Sequence, residues 1–540
     1  MPAKQRLVRR LVCCASLACI VAFKIHPTWR PTLSNDSYQY LSVADNLQHG
    51  LVGFTSLVHF DEERSEGMIP APLTSFPMGY PLAIGVFQAG GLPGASAGMI
   101  VSLLSALGCV VLLDMLSIRF DLSTTSRYWV LAMFVANAAT IRLSIAVLAE
   151  TTFTLVAVGA LVLLAAALGS GDNRRAQVGL AIAAGLAFGL SYWIRYAGLF
   201  LLLGLLPAGI IAVVTKRLYI VRPATIAFCV GGLVAAAGMI RNVLLVGTWR
   251  GGNTKEVHHA ASQIAYDFGY ATKNLTLGSP SMTDWMTLTG LLLVLLGVGC
   301  AVGVVVLLKN SSRPDEAPTR ADFTVATMAI VAMTYLACIV YAAANSMISF
   351  NDRLFFPVMP LALVLVGFAI TAIQRRIPVR WGERWWCGIW LAVAVVHAAL
   401  HFSAPLRAAM PNELAEISGV LDRQVTAAAT GRQVILSLTG EHGVVMSNAG
   451  QASGYSLNRP TISLVIPKFS SIEWTESNVR ANMKSFAVKA LVVYKPAPDS
   501  LIRELPSTFL TELGAGEVPS WLKKVADSEY LVIYRPTAAL

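Results

Sequence analysis

Asp36 and Tyr40 stand four residues apart in the stretch "SNDSYQYLSVADN" (34–46). If that stretch is helical they share one face, which Ala44 and the Asn46 to Leu47 turn continue, so a carboxylate and a phenol point the same way. A carboxylate at a membrane boundary loses part of its hydration, which raises its pKa and suits it to act as a general base near neutral pH. The competing reading is local: Asp36 is an acidic residue in a first helical turn, capped by Ser34 or Asn35 and favoured by the helix macrodipole. Which applies depends on the elements that carry the stretch.

The chain of 540 residues is 55% hydrophobic and 13% charged, with a mean hydropathy of +0.63. Its apolar runs recur at about the 20 residues needed to cross a bilayer as a helix, so the sequence describes a polytopic α-helical membrane protein. The net charge of +11 is spread over short loops between those runs rather than gathered on a soluble patch, which argues against a nucleic-acid partner. Cys13, Cys14, Cys19, Cys109, Cys229, Cys300, Cys338 and Cys387 all fall in or beside apolar runs, so neither a disulfide framework nor a Cys-based zinc site is indicated. The start, "MPAKQRLVRRLVCCASLACIVAFKIHP", has a basic head and a short apolar core without a small-x-small cleavage site, and reads as a retained first helix.

Spans are expected near 9–26, 95–116, 127–148, 151–169, 177–195, 197–214, 223–246, 285–308, 323–343, 354–373 and 385–403, about eleven in all. Alternate connections are basic: Arg6, Arg9 and Arg10; Arg119 and Arg127; Arg174 and Arg175; Lys216, Arg217 and Arg222; Lys309, Arg313 and Arg320; Arg375, Arg376, Arg380 and Arg384. The positive-inside rule then makes the N-terminus cytoplasmic. A first loop (27–94), a loop over 247–284 and everything after 404 are external. The tail replaces long apolar runs with β-like ones, "RQVILSL", "GVVMSN", "TISLVI", "VKALVVY" and "EYLVIY", separated by helix-capable segments such as "SSIEWTESNVRANMKSF". That alternation predicts a small C-terminal α/β domain (404–540) on a transmembrane domain (1–403).

Within the first loop, the acidic cluster "DEERSE" (Asp61, Glu62, Glu63, Glu66) precedes "PAPLTSFPMGYPLAIGVFQAGG". There Pro77, Gly79 and Pro81 set a turn into an apolar helix too short to span, of the kind that lies along the interface. "DSYQYLSVADNL", a long loop and then "FPMGYPL" together resemble the first external loop of the GT-C glycosyltransferases, the polytopic superfamily that includes protein mannosyltransferases and the aminoarabinose transferases of lipid A. "RLSIAVLAETTFTL" (142–155), "YWIRYAGLFLLLGLLP" (192–207), "RNVLLVG" (241–247) and "NDRLFFPVMPLALVL" (351–365) resemble later boundary segments of that family, and "GVVMSNAGQASGYSLNRP" (443–460) the start of the soluble tail of its bacterial members.

The resemblance implies a GT-C-like fold in a bacterial inner membrane, with the tail periplasmic. It implies a sugar donor linked to polyprenyl phosphate and presented from the membrane lipid, an acceptor that is a glycan, lipid or protein, and an acidic residue of the first loop as catalytic base, here Asp36. Ser37 stands where many members have a second acidic residue, which argues against a metal bridged by paired carboxylates; no metal ligands or cofactor are assigned, and dependence on a divalent ion is left open.

For such a donor, Arg195, Arg241 and Arg353, all at expected external helix ends, are candidates to bind the phosphate as its charge grows; the alternative for each is a snorkelling anchor. Glu150 is placed to orient acceptor or sugar hydroxyls, or to pair with Arg142 or another arginine. Tyr40, like Tyr38, is a candidate to line the sugar site, against an ordinary interfacial role. Glu256, His258 and His259 in "KEVHH" lack HExxH spacing, His397 and His401 fit an interfacial helix face, and no Walker or Rossmann pattern supports a soluble nucleotide donor. Two other classes remain: a multi-span transporter or lipid flippase, and a non-catalytic subunit of envelope-glycan assembly.

Overall fold

The computed structural model describes residues 3–25, 31–59, 62, 64–171, 173–214, 216–251, 257–277, 320–345, 352–376, 388, 392, 413–467, 472–497 and 502–537. In chain order the helices begin with α1 (Ala3–Ile25), α2 (Asn35–Gln48), α3 (Gly79–Ala89), α4 (Gly94–Arg119), α5 (Thr124–Ala136), α6 (Ala138–Ile145), α7 (Glu150–Gly169), α8 (Arg174–Ile194), α9 (Gly198–Leu203), α10 (Leu205–Val214), α11 (Leu218–Val246) and α12 (Ala261–Leu277). Arg320–Ala344, Asp352–Phe355 and Met359–Arg376 follow, then the shorter helices of the tail. The strands are β1 (Phe54–Thr55), β2 (Leu57–Val58), β3 (Ala71–Pro72), β4 (Val444–Ser447), β5 (Thr461–Ser463), β6 (Val488–Tyr494), β7 (Leu522–Asp527) and β8 (Leu531–Pro536). The chain gathers into two compact units, one of residues 1–30, 99–238 and 257–409, the other of 31–98, 239–256 and 410–540.

Among the described residues six helices are long and apolar enough to cross a membrane: Gly94–Arg119, Glu150–Gly169, Arg174–Ile194, Tyr219–Val246, Thr324–Ala344 and Asp352–Ala372. The expected span 127–148 is two helices, α5 and α6, meeting at 52°. Asn137 causes the break: its Oδ1 accepts from the Ala139 amide (2.9 Å) and its Nδ2 donates to the Leu275 carbonyl (2.6 Å), a side-chain amide competing with the backbone ladder. The expected span 197–214 is likewise two short helices, α9 and α10, broken at Gly204. The expected span 285–308 lies outside the described residues, and of 385–403 only residues 388 and 392 lie within them. α12 lies within the segment 247–284 expected to be an external loop.

The membrane unit contains a carboxylate that the sequence analysis passed over. Asp114 is fully buried in α4, where it accepts from Arg9, also fully buried, and from Arg10 Nε at 2.7 Å. An unpaired charge in apolar surroundings costs several kcal/mol, so the ion pairs tie α1 to α4. Arg9, read as a loop charge, is thereby part of the interior, while Arg10 stays partly exposed.

In the second unit, β2-β5-β4-β6 run parallel and β8 and β7 continue the sheet antiparallel. β6 alternates between two helix-covered faces. Leu491 and Val493 face a core with Trp474, Met483 and Leu513, and Ala490, Val492 and Tyr494 face one with Ile417, Leu421 and Ala452. Burial on both faces explains why "ALVVY" is a continuous apolar run. One expected strand is wrong: "RQVILSL" lies in the helix Gly431–Thr439, because Thr430 and Gln433 form a reciprocal cap and Val434, Ile435 and Leu438 recur at helical spacing. The unit is also wider than the tail, since β2 of the first loop pairs with β5, Leu57 opposite Thr461 and Val58 opposite Ile462.

Glu413 opens the helix Glu413–Leu421. Burial, and after it the neighbouring Glu416, pushes its carboxyl up to about 7. A carboxyl raised on folding contributes stability that is full below its ordinary value of 4.5 and lost as pH rises through about 7. Glu413→Gln is therefore expected to match wild type in stability at pH 4.5 and to exceed it at pH 8, by at most about 3 kcal/mol. Melting curves across that range check it.

Candidate functional site

The membrane unit brings together three of the residues singled out in the sequence. Glu150 is the first residue of α7, where the helix N-terminus favours a carboxylate, and its side chain is fully buried. Its Oε1 accepts from Arg195 and from Arg353 Nε, the latter at 2.7 Å. Next to Arg353, Asp352 takes Arg142, so Arg142 is not the partner of Glu150. The two ion pairs hold Asp352 and Arg353 to α6 and α7. Three guanidiniums and two carboxylates leave the cluster a formal charge of +1.

Local sequence explains each placement. Arg195 follows α8 with an extended backbone (φ −147°, ψ 134°) and its carbonyl accepts from the Gly198 amide at 2.8 Å. A Cβ at Gly198 would collide with the backbone of Ser191 and Tyr192, so the glycine of "RYAG" is what lets the chain turn back so close to α8. Arg353 sits on a single helical turn anchored by aromatic packing, Phe355 edge-on to Phe268 of α12 at 5.0 Å and Phe356 near Phe134 of α5 at 6.4 Å. The arginine side chains keep 19% (Arg195), 26% (Arg353) and 34% (Arg142) of their surface exposed. Among the described residues, Glu150 Oε2 and Thr151 Oγ1 are buried without a hydrogen-bond partner.

Asp36, Tyr40 and Arg241 belong to the other unit. Asp36 lies in the first turn of α2 and is half-buried. The Ser34 amide donates to Ser37 Oγ at 2.9 Å, so the serine at the place of the second acidic residue closes the helix cap instead. Tyr40 is 2% exposed, with its ring edge-on to Phe76 (5.4 Å) and Tyr80 (5.1 Å), contacts that help hold α2 in place. Arg241 donates to the carbonyls of Leu73 (3.1 Å) and Gly53 (3.3 Å) and to Asn242 Oδ1 (3.3 Å). It clasps the strand pair β1–β3, and Gly53, at φ +77°, could not carry a side chain without striking the guanidinium. His258 Nδ1 lies 3.1 Å from Asn345 Oδ1, while Glu256, His397 and His401 fall outside the described residues. Among the described residues no three His, Cys, Asp or Glu side chains gather as a metal site.

Asp352 and Asp114 were missed by the sequence analysis. Adjacency to Arg353 in "NDR" could have flagged the first, and a lone aspartate within an apolar span the second.

No protein-family model and no curated protein matches the sequence. In fold, the chain is similar to solved GT-C membrane glycosyltransferases. ArnT from Cupriavidus metallidurans bound to undecaprenyl phosphate is 13% identical with a TM-score of 0.55, over 100% of this chain and 99% of that one. The apo oligosaccharyltransferase of Archaeoglobus fulgidus is 11% identical at 0.56, over 89% and 69%. AglB of the same organism, in complex with an inhibitory peptide and a dolichol-phosphate, is 12% identical at 0.53, over 89% and 69%.

Replacing Glu150 by Gln leaves its arginines without their counter-charge. Full burial of an orphaned ion costs about 3–5 kcal/mol; the partial exposure of both guanidiniums reduces that to about 2 kcal/mol. Glu150→Gln is expected to lower the apparent melting temperature, and Arg142→Gln by less, since it leaves one ion, Asp352, without its partner rather than two. Scanning fluorimetry of the three proteins side by side checks the order.

Proposed function

We propose that the protein is a membrane glycosyltransferase that moves a sugar from a polyprenyl-phosphate carrier to an acceptor hydroxyl on the external face of a bacterial inner membrane. The observation that carries this reading is the full-length similarity in fold to a glycosyltransferase bound to undecaprenyl phosphate. The arginine cluster at the ends of apolar helices supports it, because a lipid phosphate can only be met at the membrane boundary.

The reaction is an inverting displacement. The acceptor oxygen bonds to the anomeric carbon, its proton passes to the Asp36 carboxylate, and the bond from that carbon to the phosphate oxygen breaks with its electron pair on the phosphate. The lipid phosphate leaves with one more negative charge than it carried in the donor. Arg195 and Arg353 would sit at that phosphate, a planar guanidinium fork being suited to phosphate oxygens. Attraction that grows as the phosphate gains charge lowers the barrier rather than merely tightening donor binding. Arg241, bonded to loop carbonyls, would set the shape of the first loop. The acceptor is a glycan, lipid or protein.

The bend at Asn137 favours a second reading, transport, because broken helices recur at transporter sites. One experiment separates the two: purified protein in nanodiscs, a panel of radiolabelled polyprenyl-phosphate sugars, and a membrane extract as acceptor. Incorporation of label is expected, Asp36→Asn lowering kcat at least about 10²-fold and Arg353→Ala lowering kcat/KM for the donor about 10²-fold. Normal turnover by Asp36→Asn would remove it from the mechanism. Absence of incorporation with every donor by folded protein would overturn the reading in favour of transport or assembly.

A further inference from the structure

α2 is held by two different sets of neighbours, and the division falls just after Tyr38. The body of the helix is fixed to the first loop. Gln39 Nε2 donates to the Leu57 carbonyl (2.5 Å), Ser42 Oγ accepts from the Ser56 amide (2.8 Å), and Asn46 Nδ2 donates to the Phe54 carbonyl (2.9 Å). Tyr40 packs against Phe76 and Tyr80 of the same loop. Leu33 and Tyr38, which bracket Asp36 in sequence, pack instead into a core supplied mostly by the tail, with Ile417, Leu421, Ala452 and Leu457.

The contact at the centre of that core is aromatic. The ring of Tyr38, none of it exposed, meets the ring of Tyr455 at 5.6 Å and 45°. Tyr455 lies on the helix Gly450–Leu457, whose own place is fixed: Ser456 Oγ is 2.8 Å from Ser418 Oγ, and the Ser456 carbonyl accepts from Arg432. Among the described residues the Tyr38 hydroxyl is buried without a hydrogen-bond partner. Ring packing, not the hydroxyl, therefore makes the seat.

We infer that Tyr455, acting through Tyr38, is a positioning residue for Asp36, so that the tail sets the aim of the proposed base. The inference rests on the role given to Asp36 above. A base displaced by about 1 Å loses on the order of 10²-fold in rate, while the arginine cluster proposed to hold the donor phosphate lies in the other unit and keeps its own ion pairs. The defect should appear in kcat and leave the KM for the donor alone.

The test uses Tyr455→Ala, which removes a partly exposed ring and spares the fully buried one, with Tyr455→Phe and Tyr38→Phe as conservative partners. Transfer kinetics and hydrogen exchange are measured on each full-length protein in nanodiscs. Tyr455→Ala is expected to lower kcat about 10²-fold with the donor KM within twofold, and to speed exchange of the Ser37–Leu41 amides while β4 and β6 stay protected; both Phe variants should match wild type. Wild-type kcat, or unchanged exchange at Ser37–Leu41, in Tyr455→Ala would overturn the inference, as would faster exchange throughout the tail sheet, which would mark Tyr455 as a general packing residue. Asp36→Asn run alongside separates the two ideas: if it is inactive while Tyr455→Ala turns over normally, only the seat is wrong; if it turns over normally, the base assignment is wrong.

Discussion

A carboxylate shut away from water among apolar helices must be matched by positive charge, and in the membrane unit that demand organises the region around Glu150. Meeting it draws Arg195 from the end of α8 and Arg353 from the head of the span Asp352–Ala372 onto one oxygen. Arg195 reaches it only because the chain turns sharply at Gly198, and Arg353 only because the turn Asp352–Phe355 is pinned by aromatic rings and by the Asp352–Arg142 pair. The segments around residues 142–150, 195 and 352–353 are thus registered by electrostatics as much as by packing. Asp114 makes the same demand on Arg9 and Arg10. In water such pairs would be worth little; in apolar surroundings, breaking one is expensive because the survivor stays buried.

The second unit is organised by apolar burial instead. Its sheet is covered on both faces, and the first loop enters it twice, as the edge strand β2 and through Tyr38. Each large side chain fully withdrawn from water contributes about 1.5–3 kcal/mol, so a helix that buries eight consecutive residues, Ser37 to Ala44, is firmly placed despite its short length. Asp36 stands at the edge of that buried stretch, half in solvent, a place that would let the proposed base hold its position and still receive a proton from an incoming hydroxyl.

The sequence made the apolar spans legible because twenty-residue runs have few alternative fates, and it flagged Glu150, Arg195 and Arg353 because charges at the ends of such runs need a reason. It misjudged elements whose fate depends on partners. "RQVILSL" is apolar enough for a strand, but its cap and its three- and four-residue spacing make it a helix. Asn137 and Gly204 interrupt runs that hydropathy reads as continuous. For Tyr40 and Arg241 the sequence shows residue type alone, while the structure adds a ring packed on Tyr80 for one and bonds to the Leu73 and Gly53 carbonyls for the other. The pairing of the first loop with the tail joins residues about four hundred positions apart, and a two-residue strand carries no periodicity from which to foresee it.

Glu150 also bears on how a phosphate site of this kind would turn over. Arg142, Arg195 and Arg353 without carboxylates would present a charge of +3 and would hold a departing lipid phosphate more tightly than the donor it came from, since the leaving group carries the extra charge. Glu150 and Asp352 bring the cluster to +1, which on the proposed function would favour the growing charge in the transition state without trapping the product. Arg195 and Arg353 both bond to Oε1 of Glu150, so their guanidiniums would need little reordering to meet a phosphate. On the proposed function, then, Glu150 affects rate through the arginines it holds, and its influence should be seen in release of the lipid phosphate as much as in its capture.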